Sequence, residues 1–162
     1  MPPEIQDRCE CEYSMITDEL RRTVFLVDDD MDDMALAMRV LKDATEFDDI
    51  VTLSSGESLL NELDSRGLLQ EDHDQSASEA NDILILLDVH MPGESGINIL
   101  KTLRKNPLTQ NIPVFMLTED SGTGSIEDTF YLRANGYLTK PLQHSHLNLI
   151  KKLYDGSKNP LN

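Results

Sequence analysis

Apolar and polar positions fall in blocks along this chain, and the period of the blocks changes from one to the next. Thr23–Val27 is a short apolar run of strand-forming residues that stops abruptly at Asp28. From Asp33 to Ala44 the apolar residues recur at helical spacing, with Met34, Ala37, Met38 and Leu41 on one face. Ile50–Leu53 predicts a second strand, and Ser55 or Gly56 opens a helix through Leu59, Leu60 and Leu63 that ends near Gly67. Ile83–Leu87 is an unbroken aliphatic run of strand length, which predicts burial on both faces, as at the centre of a parallel sheet. A helix follows from Ser95 or Gly96 to Lys105, with Ile97, Leu100 and Leu103 apolar. Ile112–Leu117 predicts a fourth strand ending at Thr118, and Ser125–Asn135 a helix stopped by Gly136 as its C-cap. Tyr137–Thr139 predicts a short fifth strand ending at Lys140, and Gln143–Tyr154 a last helix.

Strand and helix therefore alternate. Such alternation implies parallel strands joined by right-handed crossovers, with helices on both faces of the sheet. In open sheets of this kind, ligands sit beyond the carboxyl ends of the strands. Those ends carry Asp28-Asp29-Asp30, Asp88, Thr118 and Lys140, so one crevice is expected to collect them. The chain of 162 residues suits a single domain, expected over 22–156. Residues 1–21 lack periodicity and read as a loose tail with a short helical turn near Ile16–Leu20; 70–82 read as an exposed acidic loop, and 157–162 as a closing tail.

Charge narrows the partners. The chain has 30 acids against 14 bases, a formal net charge of −16. That balance argues against DNA binding, which needs clustered Lys and Arg, and against adhesion to an anionic membrane. It favours cations and basic protein surfaces. Cys9 and Cys11 alone cannot complete a metal site, and no apolar run approaches a membrane span or a signal peptide, so the chain reads as cytoplasmic.

Asp28, Asp29 and Asp88 are expected to lie close together, where like charges raise one another's proton affinity. A hard divalent cation relieves that repulsion, and Mg²⁺ prefers oxygen ligands of this kind. An aspartate can attack phosphorus to give an aspartyl phosphate, and the transfer needs positive charge and hydrogen-bond donors on the equatorial oxygens. Mg²⁺, the Lys140 ammonium and the Thr118 hydroxyl form such a complement. Taken singly, each residue has a plainer reading: a solvated turn for the triple aspartate, a strand terminator for Asp88, a helix N-cap for Thr118, a surface lysine for Lys140. The joint pattern outweighs these, because each strand except the second ends in a residue suited to phosphoryl transfer.

These residues stand in VFLVDDD (24–30), ILLDVHMPGESG (85–96), MLTED (116–120) and GYLTKPL (136–142). With them, the stretch from Thr23 to Tyr154 resembles the receiver domain of two-component response regulators, of the chemotaxis (CheY-like) type. The resemblance implies a flavodoxin-like, doubly wound (βα)5 fold, α/β in class, with strand order 2-1-3-4-5. It implies Asp88 as phosphoacceptor, and Mg²⁺ held by Asp28, Asp29, Asp88 and the backbone carbonyl of His90. It also implies Thr118 and Lys140 as phosphoryl contacts, a cis bond before Pro141, and Tyr137 as an aromatic switch that moves inward with Thr118. The plain reading of Tyr137 is an aromatic on an edge strand. The acidic 70–82 extension, KNPLTQNIPVFMLT and GYLTKPL resemble the small regulators paired with bacterial phytochrome kinases.

The function expected is that of a single-domain response regulator, phosphorylated by a histidine kinase, of phytochrome type on this resemblance, or by a histidine phosphotransfer protein. Because the sequence closes soon after the last helix, output is expected through a downstream protein target, with a homodimer through the last two helices as a further contact the family uses. The chain is not expected to be an enzyme beyond its own Mg²⁺-dependent phosphorylation and dephosphorylation. Glu119 departs from the small residue common beside Thr118 and can repel a phosphodonor, and His90 and Asp120 hold positions that tune loss of the phosphoryl group. Two other readings stand beside this one: a binding module that keeps the fold without phosphate, which Glu119 favours, and a phosphatase of the aspartyl-phosphate type, which would carry an acid where His90 stands. His144, His146 and Tyr131 read as surface residues.

Overall fold

The computed structural model describes residues 22–69, 83–119 and 133–157. Five parallel strands form one sheet in the order β2-β1-β3-β4-β5. They are β1 (Thr23–Val27), β2 (Asp49–Leu53), β3 (Ile83–Asp88), β4 (Val114–Thr118) and β5 (Gly136–Thr139). Four helices lie among the described residues: α1 (Met31–Lys42), α2 (Gly56–Ser65), α3 (Gly96–Lys105) and α4 (His144–Ser157). The doubly wound α/β fold and the strand order are those the sequence implied. No helix among the described residues is long and apolar enough to cross a membrane.

The period of two along each strand divides the core. Phe25, Val27, Ile83, Ile85, Leu87, Val114 and Met116 pack on one face under Leu59 and Leu63 of α2 and Ile99, Leu100 and Leu103 of α3. Val24, Leu26, Leu84, Leu86, Phe115, Leu117 and Leu138 face the other way, against Met34, Ala37 and Leu41 of α1 and Ile150 of α4. β1, β3 and β4 are buried along their whole length, which accounts for their unbroken apolar runs. Edge strand β2 is only part-buried.

Several boundaries differ from those the sequence suggested. α1 begins at Met31, two residues before Asp33, because Asp30 caps it: the Asp30 carboxylate accepts from the N–H groups of Asp32 and Asp33. β4 begins at Val114 rather than Ile112, since Pro113 has no N–H to give to a ladder. Gly136 is not a helix C-cap but the first residue of β5. A Cβ there would meet the Phe115 ring at 3.0 Å, so it is packing against β4 that selects glycine. Arg133–Asn135, expected to close a helix begun at Ser125, are not helical, and the φ of Arg133, 58°, lies in the left-handed region. The rest of that helix, the 1–21 tail, the 70–82 loop, Asp120 and Tyr131 lie outside the described residues.

Candidate phosphoacceptor site

The register of the sheet brings the strand ends to one rim. Leu87 of β3 pairs with Val27 of β1, so Asp28 and Asp88 leave the sheet side by side. Thr118 of β4 pairs with Thr139 of β5, and the Lys140 N–H donates to the Thr118 carbonyl at 2.8 Å, which places Lys140 directly beyond that pair. Asp28, Asp88 and Thr118 are buried, while Asp29 is exposed.

At the centre is the Lys140 ammonium. Its Nζ lies 2.8 Å from Asp28 Oδ2, 3.1 Å from Asp88 Oδ2 and 3.1 Å from Asp33 Oδ2. Burial works against the lysine's charge, but the hydrogen bonds it donates to Asp28 and Asp33 and the field of Asp88 more than offset it, so its pKa stands above the ordinary lysine value. The Asp88 carboxyl moves in the opposite sense to a paired acid. Burial and the neighbouring Asp28 charge raise it to about 6, against the pull of the His90 N–H and of Lys140.

Turns fix the free oxygens. The N–H of His90 donates to Asp88 Oδ1 at 3.1 Å, and the N–H of Asp30 to Asp28 Oδ1 at 2.9 Å. Gly96 lies against the Asp88 backbone. One carboxylate oxygen each of Asp28, Asp29 and Asp88 falls within 4.8 Å of the others. Three oxygens converging in this way, two from buried residues, fit a hard divalent cation, whose charge would relieve the repulsion that lifts Asp88.

The structure thus brings together Asp28, Asp29, Asp88, Thr118 and Lys140. Tyr137, two strand positions before Thr139, is part-buried and packs on the α2–α3 side of the core. Glu119 and the His90 side chain are exposed at the rim, and the Lys140–Pro141 peptide bond is cis. Asp33 belongs to the constellation although its sequence position suggested only a helix start. Once Asp30 is recognised as the N-cap, Asp33 falls at the third helical position, and the capped turn carries its side chain back over the crevice. His144 is exposed and meets Asp43 Oδ2 at 2.8 Å, whereas His146 is part-buried and accepts from the Gln143 N–H at 3.1 Å.

Away from the rim, Arg104 of α3 donates to the carbonyls of Ile112 and Arg133 and to Asn135 Oδ1, with contacts of 3.0–3.3 Å. Burial, then the nearby Arg133, lowers its pKa to about 10.

A parallel five-stranded sheet with an acidic triad and a lysine at its carboxyl rim defines a receiver, and comparison with known proteins agrees. Residues 24–152 match the response regulator receiver domain family, and this chain belongs to it. It is 30% identical over 119 residues to the response regulator Rcp1 of Synechocystis sp., covering 74% of this chain and 76% of that protein. The crystal structure of Mn²⁺-bound Rcp1 superposes with a TM-score of 0.59 at 27% identity, covering 85% of this chain and 90% of that one. The bacteriophytochrome response regulator RtBRR shares the fold, with a TM-score of 0.67 at 22% identity over 83% of this chain and 78% of that one.

Proposed function

We propose that this chain is the phosphoacceptor of a two-component relay, taking a phosphoryl group on Asp88 from a histidine kinase or a histidine phosphotransfer protein and signalling through contacts with a downstream protein. The observation that carries this reading is the meeting of Asp88 Oδ2 and the Lys140 ammonium at 3.1 Å, beside three converging carboxylates.

The His90 N–H holds Oδ1, which leaves Oδ2, the oxygen facing Lys140, to attack phosphorus. The Oδ2–phosphorus bond forms as the bond to the donor's imidazole nitrogen breaks, and the imidazole leaves with its electron pair. Lys140 passes its hydrogen bond from Oδ2 to a phosphoryl oxygen, and the Thr118 hydroxyl takes another. A Mg²⁺ ion on Asp28, Asp29, Asp88 and the His90 carbonyl would supply positive charge to the third oxygen and to the carboxylates. The movement of Thr118 toward the phosphoryl group draws in Tyr137, and the surface around β5 and α4 changes with it. The likeness to Rcp1 and to a bacteriophytochrome response regulator supports a kinase of phytochrome type.

The test is acid-labile labelling by a small phosphodonor with Mg²⁺. The wild type takes up label and Asp88→Asn does not; equal labelling of the two removes Asp88 from the role.

A further inference from the structure

An ammonium group has three N–H donors and sits at the end of a flexible four-carbon stem. In this chain the three donors match three carboxylates, those of Asp28, Asp33 and Asp88. Only one of these partners is altered by the transfer reaction. When Asp88 Oδ2 becomes bonded to phosphorus it loses its negative charge, and Lys140 must turn that donor to a phosphoryl oxygen. The other two bonds decide whether the donor still points the right way.

We infer that Asp33 is a positioning residue for Lys140, which with Asp28 pins two of the ammonium's N–H groups so that the third aims at Asp88 Oδ2 and then at the phosphoryl oxygen that replaces it. This rests on the reading of Lys140 as the phosphoryl-binding cation. A tetrahedral ammonium held at one point rotates, and one held at two has a single direction left for its third donor.

The two anchors lie on either side of Asp30, which holds both in place. Asp28 directly follows β1, and its Oδ1 is fixed by the Asp30 N–H at 2.9 Å. Asp33 belongs to the first turn of α1, whose position is set by the Asp30 cap: Asp30 Oδ1 accepts from Asp32 at 2.8 Å and from Asp33 at 3.2 Å. Asp33 is also the natural choice to hold a fixed bond through the reaction, because it is not among the converging oxygens that suit a cation. It therefore acts on the phosphoryl group through Lys140 alone.

The experiment compares Asp33→Ala and Asp33→Asn with wild type by calorimetric titration. Mg²⁺ is titrated alone, and then beryllofluoride, a mimic of the transferred group, at saturating Mg²⁺. Asp33→Ala is expected to bind beryllofluoride about tenfold more weakly while its Mg²⁺ affinity changes by less than about threefold, the mark of lost aim rather than lost metal. Asp33→Asn keeps an acceptor oxygen and recovers most of the affinity. Equal beryllofluoride binding by Asp33→Ala and wild type overturns the role of Asp33 and leaves that of Asp88 standing. So does a loss that follows Mg²⁺ affinity, or one as large in Asp33→Asn. A wild type that takes up no beryllofluoride overturns both readings together.

Discussion

Gly96 lies so close beneath Asp88 that a side-chain carbon on it would overlap the Asp88 carbonyl oxygen, with the Asp88 carbonyl carbon at 2.9 Å and Val89 Cα at 3.2 Å. The obstacle is backbone, which cannot swing aside as a side chain can. The Gly96 N–H also donates to the Val89 carbonyl at 3.0 Å, so α3 starts directly on the turn that holds the candidate phosphoacceptor. Gly96→Ala is expected to cost about 1–3 kcal/mol of stability and to slow labelling of Asp88 at the same time. Urea unfolding and the phosphodonor assay measure the two effects; a variant with full stability and full labelling would show that the turn can yield.

Asp88 carries a cost in the folded state that a neutral residue would not. Its carboxyl is raised from 3.8 to about 6, so the folded chain binds that proton more tightly than the unfolded chain does. Its contribution to stability is fully present below the ordinary aspartate value and is lost as pH rises through about 6. Asp88→Asn is therefore expected to exceed wild type in stability at neutral pH without divalent cations, by on the order of 1 kcal/mol. The gap should close on acidification. Urea midpoints of both proteins across this range, in chelator, give the answer; a gap that widens in acid has the wrong sign.

Lys140→Met leaves the Asp28, Asp33 and Asp88 carboxylates without the cation they share. Removing one partner of a buried ionic cluster is expected to cost about 3 kcal/mol or more. Millimolar Mg²⁺ then replaces part of the missing charge, so the melting temperature of the variant should rise more with Mg²⁺ than that of wild type. Equal responses would mean that cation and ammonium do not act on the same carboxylates.

His146 predicts a separate pH effect on the last helix. Burial lowers its pKa below 6.5, so the unfolded chain takes up that proton first. Its contribution to stability is complete above the ordinary histidine value and is lost as pH falls below it. Protonation also removes the ring nitrogen that accepts from the Gln143 N–H. In His146→Gln this component disappears, so the difference between variant and wild type should shift in favour of the variant as pH drops from 7.5 toward about 5.5. Unfolding midpoints read at both ends of that interval check it.

Most of the fold could be read from the chain because its information is local. An aliphatic run such as Ile83–Leu87 has few alternatives to a central strand, and residues that follow such runs must fall at the strand ends, which is how Asp28, Asp88, Thr118 and Lys140 could be placed at one rim. What escaped depends on distance or on small shifts of register. Asp33 escaped because several aspartates in DDDMDD can cap a helix, and a helix begun at Asp33 leaves that residue at its entrance instead of in a capped first turn. Gly136 looks like a helix stop until the Phe115 ring is seen against it. Arg104 bonds carbonyls and an amide oxygen, of which Arg133 and Asn135 stand 29 and 31 residues away, and acceptors of this kind leave no mark in a sequence.

By composition the segment Asp28–Asp33 is a single block of negative charge, but four of its acids stand in four different situations. One oxygen of Asp28 fixes a turn and the other meets an ammonium; Asp29 stands open to solvent; Asp30 closes the start of a helix; Asp33 reaches across to the last strand's end. Acids in this stretch are consequently not spares for one another. A relative that kept the number of aspartates but permuted their order would have the same isoelectric point and a different crevice, so inheritance here should be judged position by position and never by the sum.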